Sequence, residues 1–307
     1  MKRIIWKAVA AIVVLCCVLF SLTACGETSE TTTQSGSDEQ AQESNGQQTP
    51  AANTCTVTFD TQGGSEVATQ QVEKGDRVQK PQDPERAGYA FAGWTYSGED
   101  WSFIQHTVTG NMTLTAIWEP LLNVSETGTI QNLTDCGKTA TVIDIPSVYN
   151  GIAITSIGPR AFYGCTGLTS ITIPDSVTSI GEYAFWDCTG LTSITAATGN
   201  AVYHSVDNCL IKTAEKTLVL GCKTSTIPTD GSVTSIGNSA FAGCTGLTSI
   251  TIPDSVTNIG QYALCNCKNL TSITYQGTKA QWNAISKGYC WNIDADNYVM
   301  HCTDGDI

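Results

Sequence analysis

The stretch LTSITIPDSVTSIGEYAFWDC occupies residues 168–188, and LTSITIPDSVTNIGQYALCNC occupies residues 247–267. From Leu168 to Leu191, where the next unit begins, the period is 23 residues. Apolar side chains fall at Leu168, Ile171, Ile173, Val177, Ile180, Ala184, Phe185 and Cys188. The later copy repeats them at Leu247, Ile250, Ile252, Val256, Ile259, Ala263, Leu264 and Cys267. Partial copies place Ile154, Ile157, Ala161, Phe162 and Cys165, and then Val233, Ile236, Ala240, Phe241 and Cys244, in the same columns. This is neither the 3.6-residue period of a helix nor simple alternation. Short apolar bursts are punctuated by Pro and Gly, and one such unit cannot bury its own apolar face. Stacked units share a continuous core, so the pattern predicts a solenoid.

The copies also report on backbone shape. One column reads Gly164, Asp187, Gly243 and Asn266, and a second reads Gly167, Gly190, Gly246 and Asn269. Gly, Asn and Asp tolerate positive φ, so both columns are expected in left-handed turns.

The unit resembles the BspA-like class of leucine-rich repeats, whose signature runs Ile-Pro-x-x-Val-Thr-x-Ile-Gly-x-x-Ala-Phe-x-x-Cys-x-x-Leu. The resemblance covers roughly residues 124–274 and implies a leucine-rich-repeat solenoid over 120–274. Asn150-Gly151 lies in a short insertion. Residues 197–225 interrupt the array, and 201–209 with 217–222 read as an inserted hairpin. Residues 275–307 break the period and read as the terminal cap that an open solenoid needs over its last apolar layer.

Residues 54–119 have a different rhythm. Cys55, Val57 and Phe59 alternate with Thr54, Thr56 and Thr58, and Met112, Leu114, Ala116 and Trp118 alternate with Thr113 and Thr115. Both are period-2 strands with one buried face. A core for so small a segment is expected from Phe59, Tyr89, Phe91, Trp94, Trp101, Phe103 and Trp118, since aromatic side chains bury the most area each. The run Val-Thr-Phe-Asp…Gly-Gly, then Gly-Tyr-Ala-Phe-Ala-Gly-Trp, then Met-Thr-Leu-Thr-Ala-Ile-Trp resembles the Listeria–Bacteroides repeat, the B-repeat type of internalin-like surface proteins. That resemblance implies a small β-grasp-like module serving outside the cell as a spacer or weakly adhesive unit. The fold class expected for the whole chain is mainly β: a small β-grasp-like domain followed by a leucine-rich-repeat solenoid.

The start of the chain reads as an export signal. Lys2, Arg3 and Lys7 form a positive segment, residues 8–20 an apolar run, and Leu22-Thr23-Ala24-Cys25 follows. The run suits a signal peptide and is short for a bilayer span. The last four residues resemble the lipobox of bacterial lipoproteins, which implies removal of residues 1–24 and lipidation of Cys25. Two or three acyl chains would then hold the protein on a membrane, where one would bind only marginally. Residues 25–53 carry almost no large apolar side chain and read as a disordered tether. As a flexible coil it would span roughly 30 Å.

The net charge of −13 repels phosphate backbones, so nucleic-acid binding is disfavoured. Of the 14 cysteines, Cys16 and Cys17 leave with the signal and Cys25 takes the lipid. Cys165, Cys188, Cys244 and Cys267 share one repeat column and are expected to stack as buried, weakly hydrogen-bonding thiols. Cys209 with Cys222, and Cys290 with Cys302, are candidate cross-links of the inserted hairpin and of the cap. Cys265 and Cys267 make a poor zinc half-site with no second pair at suitable spacing, and no metal or cofactor is expected. His106, His204 and His301 lie in no catalytic context, and Asp175 and Asp254 read as turn acceptors. No catalytic residue is proposed from the sequence.

The columns that vary between repeats are those facing away from the core. They hold Arg160, Tyr183, Ser239 and Tyr262 in one column and Tyr163, Trp186, Ala242 and Cys265 in another. Exposed Tyr, Trp and Arg anchor interfaces, so Arg160, Tyr163, Tyr183, Trp186 and Tyr262 are the candidate ligand-binding residues. The same aromatics could instead shield a neighbouring repeat, and the Thr/Ser surface of Thr169, Ser170 and Thr172 is an equally open candidate. The resulting expectation is a lipid-anchored protein on the outer face of a bacterial membrane, adhering to a host or bacterial surface protein or glycan. A structural spacer of the envelope is the alternative, and an enzyme acting on glycans lacks an acid/base pair.

Overall fold

The structure, a computed structural model, describes residues 53–295 and 297–307. The signal segment, the lipobox with Cys25 and nearly all of the tether lie outside the described residues.

The first module is a five-stranded sheet. Its strands are β1 (Thr54–Asp60), β2 (Gln70–Glu73), β3 (Tyr89–Tyr96), β4 (Glu99–Asp100) and β5 (Met112–Pro120), in the order β2-β1-β5-β3-β4. The first and last strands run parallel at the centre, Val57 opposite Met112 and Phe59 opposite Leu114. That is the β-grasp-like arrangement, reached here with loops and turns alone between the strands. The alternation in β1 and β5 is the reason: Cys55, Val57, Met112, Leu114 and Ala116 all face one side and are buried there. The expected aromatic core is only partly realised. Trp94 is buried, with Phe59 and Phe91 edge-on at 5.0 and 5.4 Å. Phe91 and Trp118 are only partly covered, and the fully buried centre is aliphatic: Val57, Val108 and Leu114. Period-2 patterning fixes which face is buried but not which side chains fill it. Tyr89, at the start of β3, turns its side chain away from this core and stacks on Tyr149 of the solenoid, ring centroids 4.9 Å apart.

The solenoid has about seven turns. Each full turn has three sides. One is a strand such as Ser170–Ile173, paired in parallel register with Val142–Asp144 and Ser193–Ala196. The second is a shorter strand such as Ser179–Ile180, beside Ser156–Ile157. The third is an arc that returns from the short strand to the cysteine column. The arcs are stitched together by backbone bonds at alternate residues: Arg160 N–H donates to Glu182 O, Phe162 to Ala184 and Gly164 to Trp186, at 2.8–3.1 Å. Ala161, Phe162, Ala184 and Phe185 are buried on the inner side of these arcs. Phe162 and Phe185 stack at 5.0 Å with 3° between their planes.

One turn-forming column is as expected: Gly164, Asp187, Gly243 and Asn266 have φ of 70, 60, 77 and 60°. The second is not. Gly167, Gly190, Gly246 and Asn269 have no positive φ. For Gly190 the reason is a close approach, since a β-carbon there would lie 2.4 Å from the carbonyl oxygen of Thr166. The other left-handed column is Arg160, Tyr183, Ser239 and Tyr262, with φ of 55–59°. No glycine marks it, so residue type could not reveal it.

The cysteine column forms a ladder. Cys188 Sγ donates to Phe162 O at 3.1 Å and Cys267 Sγ to Phe241 O at 3.2 Å, each reaching back into the turn before. Burial pushes the Cys267 thiol up to about 12. All described cysteines are free thiols, so neither candidate cross-link is present. Cys209 Sγ bonds Thr226 O, and Cys222 Sγ contacts the Thr224 hydroxyl. Cys302 lies in the strand Val299–Cys302, while Cys290 lies on the arc side beside Tyr289.

Two segments depart from the sequence reading. The inserted hairpin is a three-stranded meander, Tyr203–Val206, Cys209–Lys212 and Thr217–Leu220. Its third strand is the short strand of a solenoid turn, with Leu218 opposite Ile236. Residues 275–307 carry the solenoid one turn further instead of simply ending it. Ser286–Lys287 pairs with Asn258–Ile259 and Val299–Cys302 with the strand Ser272–Tyr275. A helix, α1 (Lys279–Ala284), capped by Thr278 and Gln281, lengthens this turn and hides its period. Cys290 and Asp294 repeat the two left-handed positions, with φ of 49 and 61°. The antiparallel strand Gly305–Asp306 then covers the sheet edge.

Candidate functional site

The arc in each regular turn spans eight positions from the short-strand Ile to the Cys: Ile157 to Cys165, Ile180 to Cys188, Ile236 to Cys244, Ile259 to Cys267. In the turn that follows the meander, only four positions separate Leu218 from Cys222. Cys222 is fully buried and Thr224 Oγ1 bonds Thr192 O, so this turn keeps the cysteine and threonine columns but lacks most of its arc. Gly221 allows the shortcut. A β-carbon there would lie 2.1 Å from the ring of Phe241, which covers the place the missing arc would fill.

The arcs on either side meet where Asp187 N–H donates to Ala242 O, and Asn266 Nδ2 of the next arc reaches Asp187 Oδ1. Nearer the strands a cleft of about 290 Å³ remains. Val219 and Leu220 of the shortened turn line it, with Tyr183 and Trp186 from the preceding arc and Ser239 and Tyr262 from the following ones. Lys212 and Glu215 of the meander also reach it, paired at 2.5 Å. The Glu215 carboxylate beside it raises the Lys212 ammonium above its ordinary range.

The left-handed column explains the aromatic arrangement. A residue with φ near 57° closes a tight turn and holds its side chain outward, and equivalent residues in successive turns then stand beside one another. The Arg160 guanidinium lies 5.7 Å over Tyr183, Tyr183 and Tyr262 both contact Trp186 at 5.4 and 5.7 Å, and Tyr262 meets Tyr289 edge-on at 6.0 Å. Four of the five sequence candidates, Arg160, Tyr183, Trp186 and Tyr262, are thus brought together. Tyr163 is exposed and stands outside this chain of ring contacts. Sequence reasoning missed Tyr289, hidden by the lost period, and Lys212, Glu215 and Asn238. The four-residue contraction before Cys222 was the available signal. The threonine surface is partly spoken for: the Thr169, Thr192 and Thr271 hydroxyls each bond the threonine carbonyl of the turn before. Among the described residues no cluster of metal-ligating side chains is present, and no helix is long and apolar enough to cross a membrane.

Residues 56–117 match the Listeria-Bacteroides repeat domain family, and residues 137–291 match six copies of the BspA type leucine-rich repeat. A putative Gly-rich membrane protein of Evansella cellulosilytica is 41% identical over 70 residues, 22% of this chain and 8% of that protein. A putative membrane protein of the same organism is 40% identical over 70 residues, 22% of this chain and 10% of its own length. The chain therefore spans a tenth or less of the curated relatives it matches. Among solved structures, a leucine-rich cell surface protein of Faecalibacterium prausnitzii is 29% identical, with coverage of 65% and 42% and a TM-score of 0.30. The leucine-rich repeat protein of T. pallidum is 22% identical, with coverage of 56% and 66% and a TM-score of 0.30.

Proposed function

The chain belongs to the BspA-type leucine-rich-repeat family of cell-surface proteins, and on that premise we propose that it is a non-catalytic adhesin binding a protein or glycan of a host or bacterial surface. The observation that carries this reading is the run Arg160, Tyr183, Trp186, Tyr262 and Tyr289. It sets a cation and four rings side by side on one face of the solenoid. Tyr289 is 71% exposed, more than a ring serving only to pack would be. Tyr, Trp and Arg are the residue types that dominate interface energetics, because each buries a large area and still offers a polar group. Attachment through a lipid on Cys25, with the tether lifting the folded part off the membrane, fits such a role.

A binding screen tests the reading: the purified protein against matrix proteins, mucins, bacterial surfaces and glycans. Saturable binding that unlabelled protein competes away is expected. No saturable binding by folded protein would overturn the adhesin reading in favour of a spacer.

A further inference from the structure

The proposed function leaves open what chemistry the cleft recognises, and the wall composition narrows it. Tyr183, Trp186 and Tyr262 offer ring faces and edges within 5.4–6.4 Å of one another. Interleaved with them are groups that bond hydroxyls. Glu182 and Gln261 are exposed. Asn238 accepts the Gln261 backbone N–H through Oδ1, which leaves its amide NH2 to donate. A ligand that satisfies both sets needs an apolar face of C–H bonds and a rim of hydroxyls or amides, which is the surface of a pyranose ring.

Charge narrows the class further. Lys212 is the cationic side chain in the cleft lining, and Glu215 neutralises it at 2.5 Å. Glu182 remains as an unneutralised carboxylate, in a chain of net charge −13. Carboxylated or sulfated sugars would meet repulsion there. Size agrees as well: about 290 Å³ lies at the small end of the roughly 300–1,000 Å³ typical of ligand pockets, which suits one or two sugar rings. We infer that the cleft beside the shortened turn binds a neutral saccharide, with Tyr183, Trp186 and Tyr262 stacking on the ring and Asn238, Gln261 and Glu182 bonding its hydroxyls. This rests on the adhesin reading and assigns that site its ligand class.

The repeats supply variants that the fold already accepts. Ala242 occupies the column of Trp186, and Ser239 that of Tyr183 and Tyr262, so Trp186→Ala and Tyr262→Ser place residues the solenoid uses elsewhere. The full-length protein is titrated with glucose, galactose, mannose, N-acetylglucosamine and N-acetylgalactosamine and their disaccharides, followed by calorimetry and tryptophan fluorescence. Sialic acid and galactose 6-sulfate are run in parallel. At least one neutral sugar is expected to bind saturably, more tightly than the two anionic ones, with affinity falling tenfold or more in Trp186→Ala and Tyr262→Ser and several-fold in Gln261→Ala. Circular dichroism checks that each variant is folded. Tightest binding by an anionic sugar, or unchanged affinity in all three folded variants, would overturn the inference. Binding to surface proteins without any to neutral sugars would overturn it and leave the adhesin reading standing. Binding to nothing would remove both.

Discussion

Gly243 faces Asp187 so closely that a β-carbon on Gly243 would lie 2.1 Å from Asp187 Oδ1 and 2.7 Å from Asp187 Cα. The two residues occupy the same column of the repeat but are 56 positions apart in the chain. They meet because the intervening turn lacks its arc, so the arcs on either side close over the gap.

Gly243→Ala should therefore destabilise more than Gly164→Ala. Both glycines have left-handed backbones, at φ of 77 and 70°, but a β-carbon on Gly164 would meet nothing within 4 Å. The backbone alone costs roughly 1–2 kcal/mol at each site. Only Gly243→Ala adds the clash with Asp187. Thermal unfolding of the two variants should show Gly243→Ala lower by several degrees more, and equal melting points would mean that the closure is not tightly packed.

The junction between the modules should depend on one tyrosine. Tyr89 stacks on Tyr149, its hydroxyl donates to Asn150 Oδ1 at 2.5 Å, and the Arg86 guanidinium lies 4.0 Å over its ring. Tyr89→Ala should split a single melting transition into two, or broaden it, and should speed limited proteolysis near residue 120. An unchanged, single transition would assign the coupling to the short chain connection from Pro120 to Leu122 instead.

The buried thiols give stability a pH dependence with a definite sign. Burial raises Cys209 and Cys267 to about 12 from an ordinary value of 9.0. In the unfolded chain they ionise near the ordinary value, so the unfolded state loses protons first. Their contribution is complete below pH 9 and is lost as pH rises from there toward 12. Melting temperature should fall over that window, and Cys267→Ser should lessen the fall. At pH 8 these thiols should resist alkylation in the folded protein and react after denaturation.

Cys25→Ser should release the protein from membranes into the soluble fraction of expressing cells. Retention of the variant on membranes would rule out the lipid anchor.

The 23-residue recurrence by itself determined the solenoid, because no single unit can bury Ile171, Ile173, Val177, Ile180 and Phe185 without a neighbour. It also placed the cysteine ladder and the left-handed column of Gly164 and Asp187, where residue type betrays backbone shape. The second left-handed column was not legible, since Arg160 and Tyr183 carry no local preference for positive φ and adopt it under the constraint of stacking. The last turn was hidden because the helix Lys279–Ala284 disrupts the spacing while backbone pairing with the turn before persists. The variable aromatics were visible one by one, but only the tertiary structure decided which of them meet. The physical reason is the shortened turn: cutting the arc between Leu218 and Cys222 drops that turn's Ala-Phe pair while keeping its short-strand and cysteine columns, and it brings Asp187 against Gly243 and opens the space that Tyr183, Trp186 and Tyr262 surround.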